Sequence, residues 1–289
     1  MDIEKYSILL ETINAGSLSS AANNLGYTPS GISRVINSLE KDTGFPLLVR
    51  SKHGVLPTKE CQLLIPHITS LIKSSENLTQ IINQISDVEV GTITIGTAYN
   101  SLFPWISKLI FEYGKLHPGI TFNLVEDTSS NLAHMVENGQ ADFCIISERT
   151  GDFNWIDLCQ DELVVCVPIG HPSIEKQHFD IKDFLKETYI ELYPDKETDN
   201  SRYLAFSHLM PNRKYSTSDP YAAFAMVEAG LGISLSNRMF AETIQSDTEL
   251  LPLNPPRTLK VGIITANKDS VSPITKSFVK FAENYIDLL

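Results

Sequence analysis

Cysteine is scarce in this 289-residue chain, and the four present (Cys61, Cys144, Cys159 and Cys166) are widely spaced with no Cys-x-x-Cys pair. That excludes a disulfide framework and a zinc site of ordinary spacing, and leaves reduced, mostly buried thiols as the expectation. The seven histidines contain no His-x-x-x-His pair. No stretch approaches the ~20 apolar residues of a membrane span. The first twenty residues carry Asp2, Glu4 and Glu11 where a signal peptide would have a basic start and an apolar run. A cytoplasmic protein is expected. Catalytic signatures are missing as well. Gly31-x-Ser33 lacks the second glycine of a nucleophile elbow. Gly230-x-Gly232 lacks the third glycine of a dinucleotide fingerprint and follows a helical pattern instead of a strand. No enzyme, metal or cofactor is expected.

Positive charge is in short supply: 23 Lys and Arg face 35 Asp and Glu, a net charge of -12. Taken whole, that argues against nucleic acid, but its distribution does not. Residues 1–58 hold five basic and five acidic side chains, so the entire excess lies in residues 59–289. A small basic face is therefore possible near the N-terminus of an otherwise acidic protein. The length suits two or three compact units.

Ile3, Tyr6, Leu9, Leu10 and Ile13 recur at helical steps before Gly16. Ser17 can cap a second short helix carrying Ala21, Ala22 and Leu25, whose small side chains permit close approach of another helix. A third starts with Thr28 as cap and Pro29 in its first turn, and ends at Gly44. Wheeled at 100° per residue, it puts Ile32, Val35, Ile36 and Leu39 on one face and Ser30, Ser33, Arg34, Asn37, Ser38 and Lys41 on the other. Short hydroxyls, an amide and a forked guanidinium suit the major groove of DNA, although a merely solvated surface has the same composition. Next come two short apolar runs around a basic turn holding Arg50, Lys52 and His53. They resemble a β-hairpin wing that would lie along phosphates.

The segment SLSSAANNLGYTPSGISRVINSLEKDTGFPLLVRSKHGVLPT resembles the N-terminal region of LysR-type transcriptional regulators. Matching positions are Ala21, Ala22, Leu25, Thr28, Ser33, Arg34, Ile36, Leu39, Glu40, Gly44, Leu47, Arg50 and Thr58. Pro29 stands where many members have Gln, Leu48 where Phe is usual and Cys61 where Gly commonly follows the Thr. Loss of the Gln removes one potential base reader, so the operator can deviate from the family's usual one. The resemblance implies an all-α winged helix-turn-helix over 1–58, with Thr28, Ser30, Ser33, Arg34, Asn37, Ser38, Arg50, Lys52 and His53 as DNA-contacting residues.

From Lys59 to Ser86, Leu64, Leu71, Leu78 and Ile85 recur at sevens, with Ile68, Ser75 and Ile82 between them. That is the seam of a coiled coil, or else one face of a long helix buried against its own domain. Pro66 should kink its first turns. In the LysR-type family such a linker helix, here 59–88, pairs two subunits. The resemblance thus implies a homodimer or homotetramer on double-stranded DNA with an inverted-repeat operator, and RNA polymerase as a further partner of an activator.

In residues 89–289 short apolar strands such as TITIG, TFNLVE, DFCIIS, LVVCVP and KVGIIT alternate with helical runs, which implies an α/β arrangement with mainly parallel sheets. TITIG, HPGITFNLVE, NGQADFCIIS, LVVCVPIGHP and VEAGLGISL also resemble the LysR-type effector domain, which is similar to periplasmic solute-binding proteins. The fold so implied has two Rossmann-like subdomains, I over 89–160 and 266–289 and II over 161–265. Crossover strands are expected near 159–163 and 264–268, and the effector would sit in the cleft between subdomains. Strand ends and helix N-termini should line it, through Asn100, Ser101, Thr128 and Ser147 on one side and Tyr193 and Asn200 on the other. A neutral or small anionic metabolite is the effector the resemblance implies. Two readings compete: a thiol-based redox sensor at Cys144, Cys159 or Cys166, and a solute-binding protein without DNA-reading function.

Overall fold

The computed structural model describes residues 2–51, 54–85, 90–267 and 271–286, with backbone alone for Arg50, Ser51, Gln80 and residues 83–85. The chain falls into two compact units, the first built on residues 1–87, the second on 88–137 and 141–289.

In the first unit, α1 (Ile3–Asn14), α2 (Leu18–Leu25) and α3 (Pro29–Thr43) are followed by a hairpin of β1 (Leu48–Ser51) and β2 (Gly54–Pro57), and then by α4 (Lys59–Ile85). The caps are those the sequence offers. Ser17 Oγ accepts from Ser20 N, and Thr28 Oγ1 accepts from Gly31 N at 3.1 Å. Gly26 and Gly44 close α2 and α3 with φ of 70° and 84°, a region that costs other residues roughly 1–2 kcal/mol. Leu9, Ala22, Ile32, Ile36, Leu39 and Leu47 form the buried core. The wing is fixed at both edges. Glu40 accepts from Leu47 N and Leu48 N at 2.8 and 3.2 Å, and Val55 N donates to Gly16 O at 2.8 Å. Gly54, at φ 119°, leaves room for that carbonyl, which a Cβ would meet.

The α4 helix continues through Pro66. Its N-terminal half, through Cys61, Leu64, Ile65, Ile68 and Ile72, packs into the helix-turn-helix core. Its C-terminal half leaves Leu78, Ile81 and Ile82 exposed. The sevenfold pattern therefore runs across two environments: Leu64 and Ile68 serve their own domain, while Leu78 and Ile82 face outward. The Ile85 side chain lies outside the described residues.

The second unit contains, in order, β3 (Gly91–Thr97), α5 (Phe103–Leu116), β4 (Ile120–Glu126), α6 (Ser129–Glu137), β5 (Phe143–Ser147), β6 (Asn154–Pro168), β7 (Phe179–Asp180), β8 (Thr188–Leu192), α7 (Asp199–Phe206), β9 (Asn212–Thr217), α8 (Pro220–Glu228), β10 (Ser234–Asn237), α9 (Arg238–Ala241), β11 (Thr248–Asn254), β12 (Thr258–Thr265) and α10 (Pro273–Glu283). In lobe I, β3 pairs in parallel with β4 and β5, and β12 joins β5 antiparallel. Ile95, Trp105, Tyr113, Phe143, Ile263 and Phe278 belong to its core. In lobe II the end of β6 pairs antiparallel with β10 and β11, while β8 and β9 form a separate parallel pair. Leu163, Val165, Phe179, Phe184, Tyr189 and Leu253 are buried there.

The sheets are thus mixed and not mainly parallel, because β6 and β12 run antiparallel to their neighbours. The 15-residue β6 pairs with β12 over Asn154–Glu162 and continues into lobe II, so the first crossing falls at 159–163 as expected. The second does not lie at 264–268. Strand β12, expected within subdomain II, pairs with β5 over Val261–Thr265 and belongs to lobe I. The return passage is residues 255–257, where Arg257 O accepts from Leu163 N at 2.9 Å. An apolar run such as KVGIIT reports burial and not which sheet it joins. The punctuation that marks the passage is Pro255–Pro256, just before the strand.

Candidate DNA-binding face and effector cleft

On α3, Ile32, Ile36 and Leu39 are buried, whereas Ser30, Arg34, Asn37 and Lys41 are exposed and Ser33 and Ser38 half-buried. Neither Arg34 nor Lys41 pairs with an acid among the described residues. Thr28 is exposed but occupied as the helix cap, and its Oγ1 lies 3.2 Å from Ser30 Oγ. Ser38 is differently placed: its Oγ accepts from Lys5 Nζ at 3.0 Å, so it ties α3 to α1. The wheel assigned Ser38 to the polar face without showing that the neighbouring helix reaches that edge. Arg50 stands opposite Val55 in the hairpin register. Lys52 and His53 lie outside the described residues.

Between the lobes of the second unit lies a cleft of about 290 Å³. Its lobe I wall comes from the ends of β3 and β4, with Tyr99, Asn100, Glu126 and Thr128. Lobe II contributes Tyr193, Lys196 and Asn200 around the start of α7, and Asn237 at the end of β10. Asn100, Thr128, Tyr193 and Asn200 thus come together as the sequence suggested. Asn100 Nδ2 donates to Glu126 Oε1 at 2.9 Å, and Asn200 Nδ2 to Leu235 O at 2.6 Å. Tyr193 has φ 53°, an unfavourable backbone for a side chain of its size, held by a bond from its N–H to Thr217 O at 2.9 Å. Ser101 and Ser147 do not line the cleft. Ser101 belongs to the 3₁₀ turn after β3, and Ser147 is buried inside a network that links the lobes.

That network centres on Arg149 and Asp199, whose side chains are only 7% and 12% exposed and 2.7 Å apart. Ser147 Oγ donates to Asp199 Oδ1 at 2.6 Å, and Arg149 Nη1 donates to Ser147 Oγ at 2.6 Å. Arg149 Nε also reaches Ser130 Oγ, which donates to Glu197 Oε1 at 2.8 Å. Lys196 of lobe II pairs with Asp127 of lobe I at 2.8 Å. Burial alone would raise the Asp127 pKa, but bonds from Lys196, Thr128 N and Asn131 hold it below its usual range. Burial removes water that would otherwise compete for these charges, so neither member of the Arg149–Asp199 pair can be removed cheaply. Sequence reading missed this pair. Its faint signals were a single Arg just past a buried strand and an Asp in the first turn of a Thr-capped helix, where the dipole favours it.

Beneath the cleft, Asp161 on the crossing part of β6 is 3% exposed. Its Oδ1 accepts from Met239 N and Glu162 N, while Oδ2 makes no close hydrogen bond among the described residues. Burial, with Asp199 adding to it, raises its pKa, and the neighbouring Asn237 amide moderates the shift. Burial and then the charges of Asp199 and Asp161 push the Tyr99 hydroxyl well above the ordinary tyrosine range. Tyr99 Oη and Asn200 Oδ1 are also buried without a close hydrogen bond among the described residues, Tyr99 Oη having the Ser147 hydroxyl nearby. Each such atom costs about 1–3 kcal/mol.

The sequence profile described as bacterial regulatory helix-turn-helix protein, lysR family, matches residues 3–62, and the LysR substrate binding domain matches residues 86–286. The chain belongs to the LysR family of transcriptional regulators. GltC, a transcriptional dual regulator of Bacillus subtilis, is similar at 22% identity over 100% of this chain and 99% of its own length. A full-length OxyR variant from Pseudomonas aeruginosa has a similar fold, with TM-score 0.70 and 18% identity over 100% of this chain and 95% of that one. Full-length CbnR, solved in complex with its target DNA, aligns with TM-score 0.64 and 16% identity over 98% of this chain and 99% of its own.

LysR-type proteins are DNA-binding transcriptional regulators with effector-binding domains, and as a family they are not enzymes. Within this member the thiols are poorly placed for redox chemistry. Burial pushes Cys144 up to about 12 and Cys166 up to about 11, and raises Cys61 and Cys159 as well. A thiol held protonated is a poor nucleophile towards an oxidant. No described helix is long and apolar enough to cross a membrane.

Proposed function

We propose that this LysR-type chain is a cytoplasmic regulator that works as a dimer or tetramer, reads an inverted repeat with paired α3 helices and responds to a small molecule in the inter-lobe cleft. The observation that carries the DNA reading is the outward face of α3, where Ser30, Arg34 and Asn37 are exposed on a helix whose opposite side is core. A guanidinium with no internal acid is available to a guanine edge or a phosphate. Arg50, and by sequence Lys52 and His53, supply sequence-independent phosphate contacts, and the exposed apolar residues of α4 supply the dimer seam.

An effector that fits one lobe arrangement better than another shifts the population of that arrangement, by no more than its differential affinity. Joined through α4, that shift changes the placement of paired DNA-binding units, and in an activator it alters contact with RNA polymerase. The test is selection of binding sites from random-sequence DNA by the purified protein at physiological salt. Enrichment of an inverted repeat is expected. A pool without enrichment, with or without candidate metabolites, would count against the DNA reading.

A further inference from the structure

The charges around the cleft are unevenly satisfied. Lys196, the one cation among its lining residues, is held at 2.8 Å by Asp127. Arg149, close behind, is held by Asp199 at 2.7 Å. Helix N-termini, the usual receivers of an anion, already have acceptors: Thr128 for Asn131 N, Thr198 for Ser201 N and Asp219 for Tyr221 N. Each of these caps occupies one amide, and with Lys196 and Arg149 already paired the cleft offers an anion no unpaired cationic side chain among its described residues. Acceptors, by contrast, remain unused. Tyr99 and Asn200, 3% and 6% exposed, line the cleft; among the described residues Asn200 Oδ1 has no hydrogen bond, and Tyr99 Oη has only the Ser147 hydroxyl nearby. The Asn200 amide is locked with its oxygen unused, because Nδ2 is committed to Leu235 O. Asp161 Oδ2 lies beneath them with no cation paired to it among the described residues. Glu126, at the rim, is bonded among the described residues by the neutral Asn100 amide. Asn237 Nδ2 makes no close hydrogen bond among the described residues, but it lies near enough to Asp161 to favour its charged form.

We propose that the effector presents a protonated amine to the cleft, received by Tyr99 Oη and Asn200 Oδ1 and balanced by the charges of Asp161 and Glu126. The proposal rests on the cleft being the effector site and adds the chemical class of its ligand. It departs from the neutral or anionic metabolite that family resemblance suggested. A donor-bearing cation satisfies buried acceptors and neutralises an uncompensated carboxylate in one step, whereas a carboxylate adds to the negative charge already there. It also gives the crossing strand a role, since Asp161 stands where β6 passes between lobes and a cation drawn to it bears on the hinge.

The test uses the full-length protein and three probes of equal chain length: butane-1,4-diamine, butane-1,4-diol and butanedioate, at matched ionic strength. Thermal unfolding is the readout. A ligand at tenfold its Kd raises the Tm of a protein this size by roughly 2–3 °C. The diamine is expected to give such a shift, the diol less and the dianion none. Asp161→Asn keeps an oxygen for Met239 N and Glu162 N, so it should fold, unfold at higher temperature than the parent without ligand, and lose at least tenfold in apparent diamine affinity. Glu126→Gln should lose less.

Absence of a diamine shift overturns the proposal. So does a shift that survives in both variants, which would mark general cation binding by an acidic surface. A shift from butanedioate alone overturns the amine class. If it is also lost in Asn200→Ala, the cleft stands as an effector site for a different class of ligand. If it is retained there, the effector reading of the cleft fails with it. Operator selection is unaffected by any of these outcomes and tests the DNA reading separately.

Discussion

The two functional regions of this LysR-type protein handle cations in opposite ways. On α3, Arg34 and Lys41 are exposed and pair with no acid among the described residues, in a segment where basic and acidic residues balance. In the effector domain, where acidic residues outnumber basic ones, Lys196 and Arg149 are each tied to an acid of the facing lobe. An exposed, unpaired cation has lost little hydration and remains available to an outside polyanion. A buried, paired one has given up its water to hold two pieces of the same chain together. The difference predicts that mutations in the cleft are felt as stability and those on α3 as affinity.

The largest effect should come from breaking the buried pair. Asp199→Ala leaves the Arg149 guanidinium buried with no counter-charge, and a cost of about 3–5 kcal/mol is expected. Urea unfolding of the parent and variant measures it. A loss below about 1 kcal/mol would mean that the pair behaves as an exposed one. Arg34→Ala should leave the unfolding midpoint in place.

Within α4 the same contrast exists between its halves. Ile68 is 5% exposed and belongs to the helix-turn-helix core, so Ile68→Ala should cost about 2–5 kcal/mol of folding stability. Leu78 is 59% exposed, and Leu78→Asp should change folding by less than about 0.5 kcal/mol while abolishing self-association. Sedimentation velocity beside urea unfolding separates the two. A Leu78→Asp protein that still sediments as the parent would remove the C-terminal half of α4 from the subunit contact.

On the DNA side, Arg34→Ala should lower affinity for the selected operator by about 1–3 kcal/mol and relax preference at one base. Lys52→Ala should weaken all sequences alike and reduce the salt slope by about one. Titrations of specific and scrambled duplexes at several salt concentrations distinguish them. Unchanged selectivity in Arg34→Ala would make Arg34 a phosphate contact only.

What the sequence made legible follows the same division. The caps at Ser17 and Thr28, the apolar face of α3 and the glycine stops are local features, set by residues within a turn of one another, and each appears where the pattern placed it. So do Asn100, Thr128, Tyr193 and Asn200, which sit at strand and helix ends. The features that escaped are long-range. Lys5 reaching Ser38 spans 33 positions, Ser147 with Asp199 spans 52, and the assignment of β12 to lobe I depends on a partner strand more than a hundred residues earlier. Periodicity reports which face is buried, not what it is buried against. Ser147 and Ser101 were read as cleft residues because strand ends commonly line clefts. At Ser147 the acid and the guanidinium claim the hydroxyl first.

The smallest effect, and the sharpest comparison inside the cleft, is in pH dependence. Asp127 has a lowered pKa: although burial opposes it, Lys196, Thr128 N and Asn131 favour its charged form. Its contribution to stability is therefore present above the unfolded carboxyl pKa of about 3.9 and is lost as pH falls through the lower folded value. Asp161 is the reverse. Its pKa is raised by burial and then by Asp199, so folding is penalised progressively as pH rises from the unfolded value through the folded one. Lys196→Gln and Asp161→Asn should consequently diverge when urea midpoints are followed between about pH 3 and pH 7. Relative to the parent, the first falls behind and the second moves ahead as pH rises, and both differences shrink in acid. Differences of the same sign would mean that the two carboxylates share one environment, and that the uncompensated charge under the cleft is balanced by a group other than a bound amine.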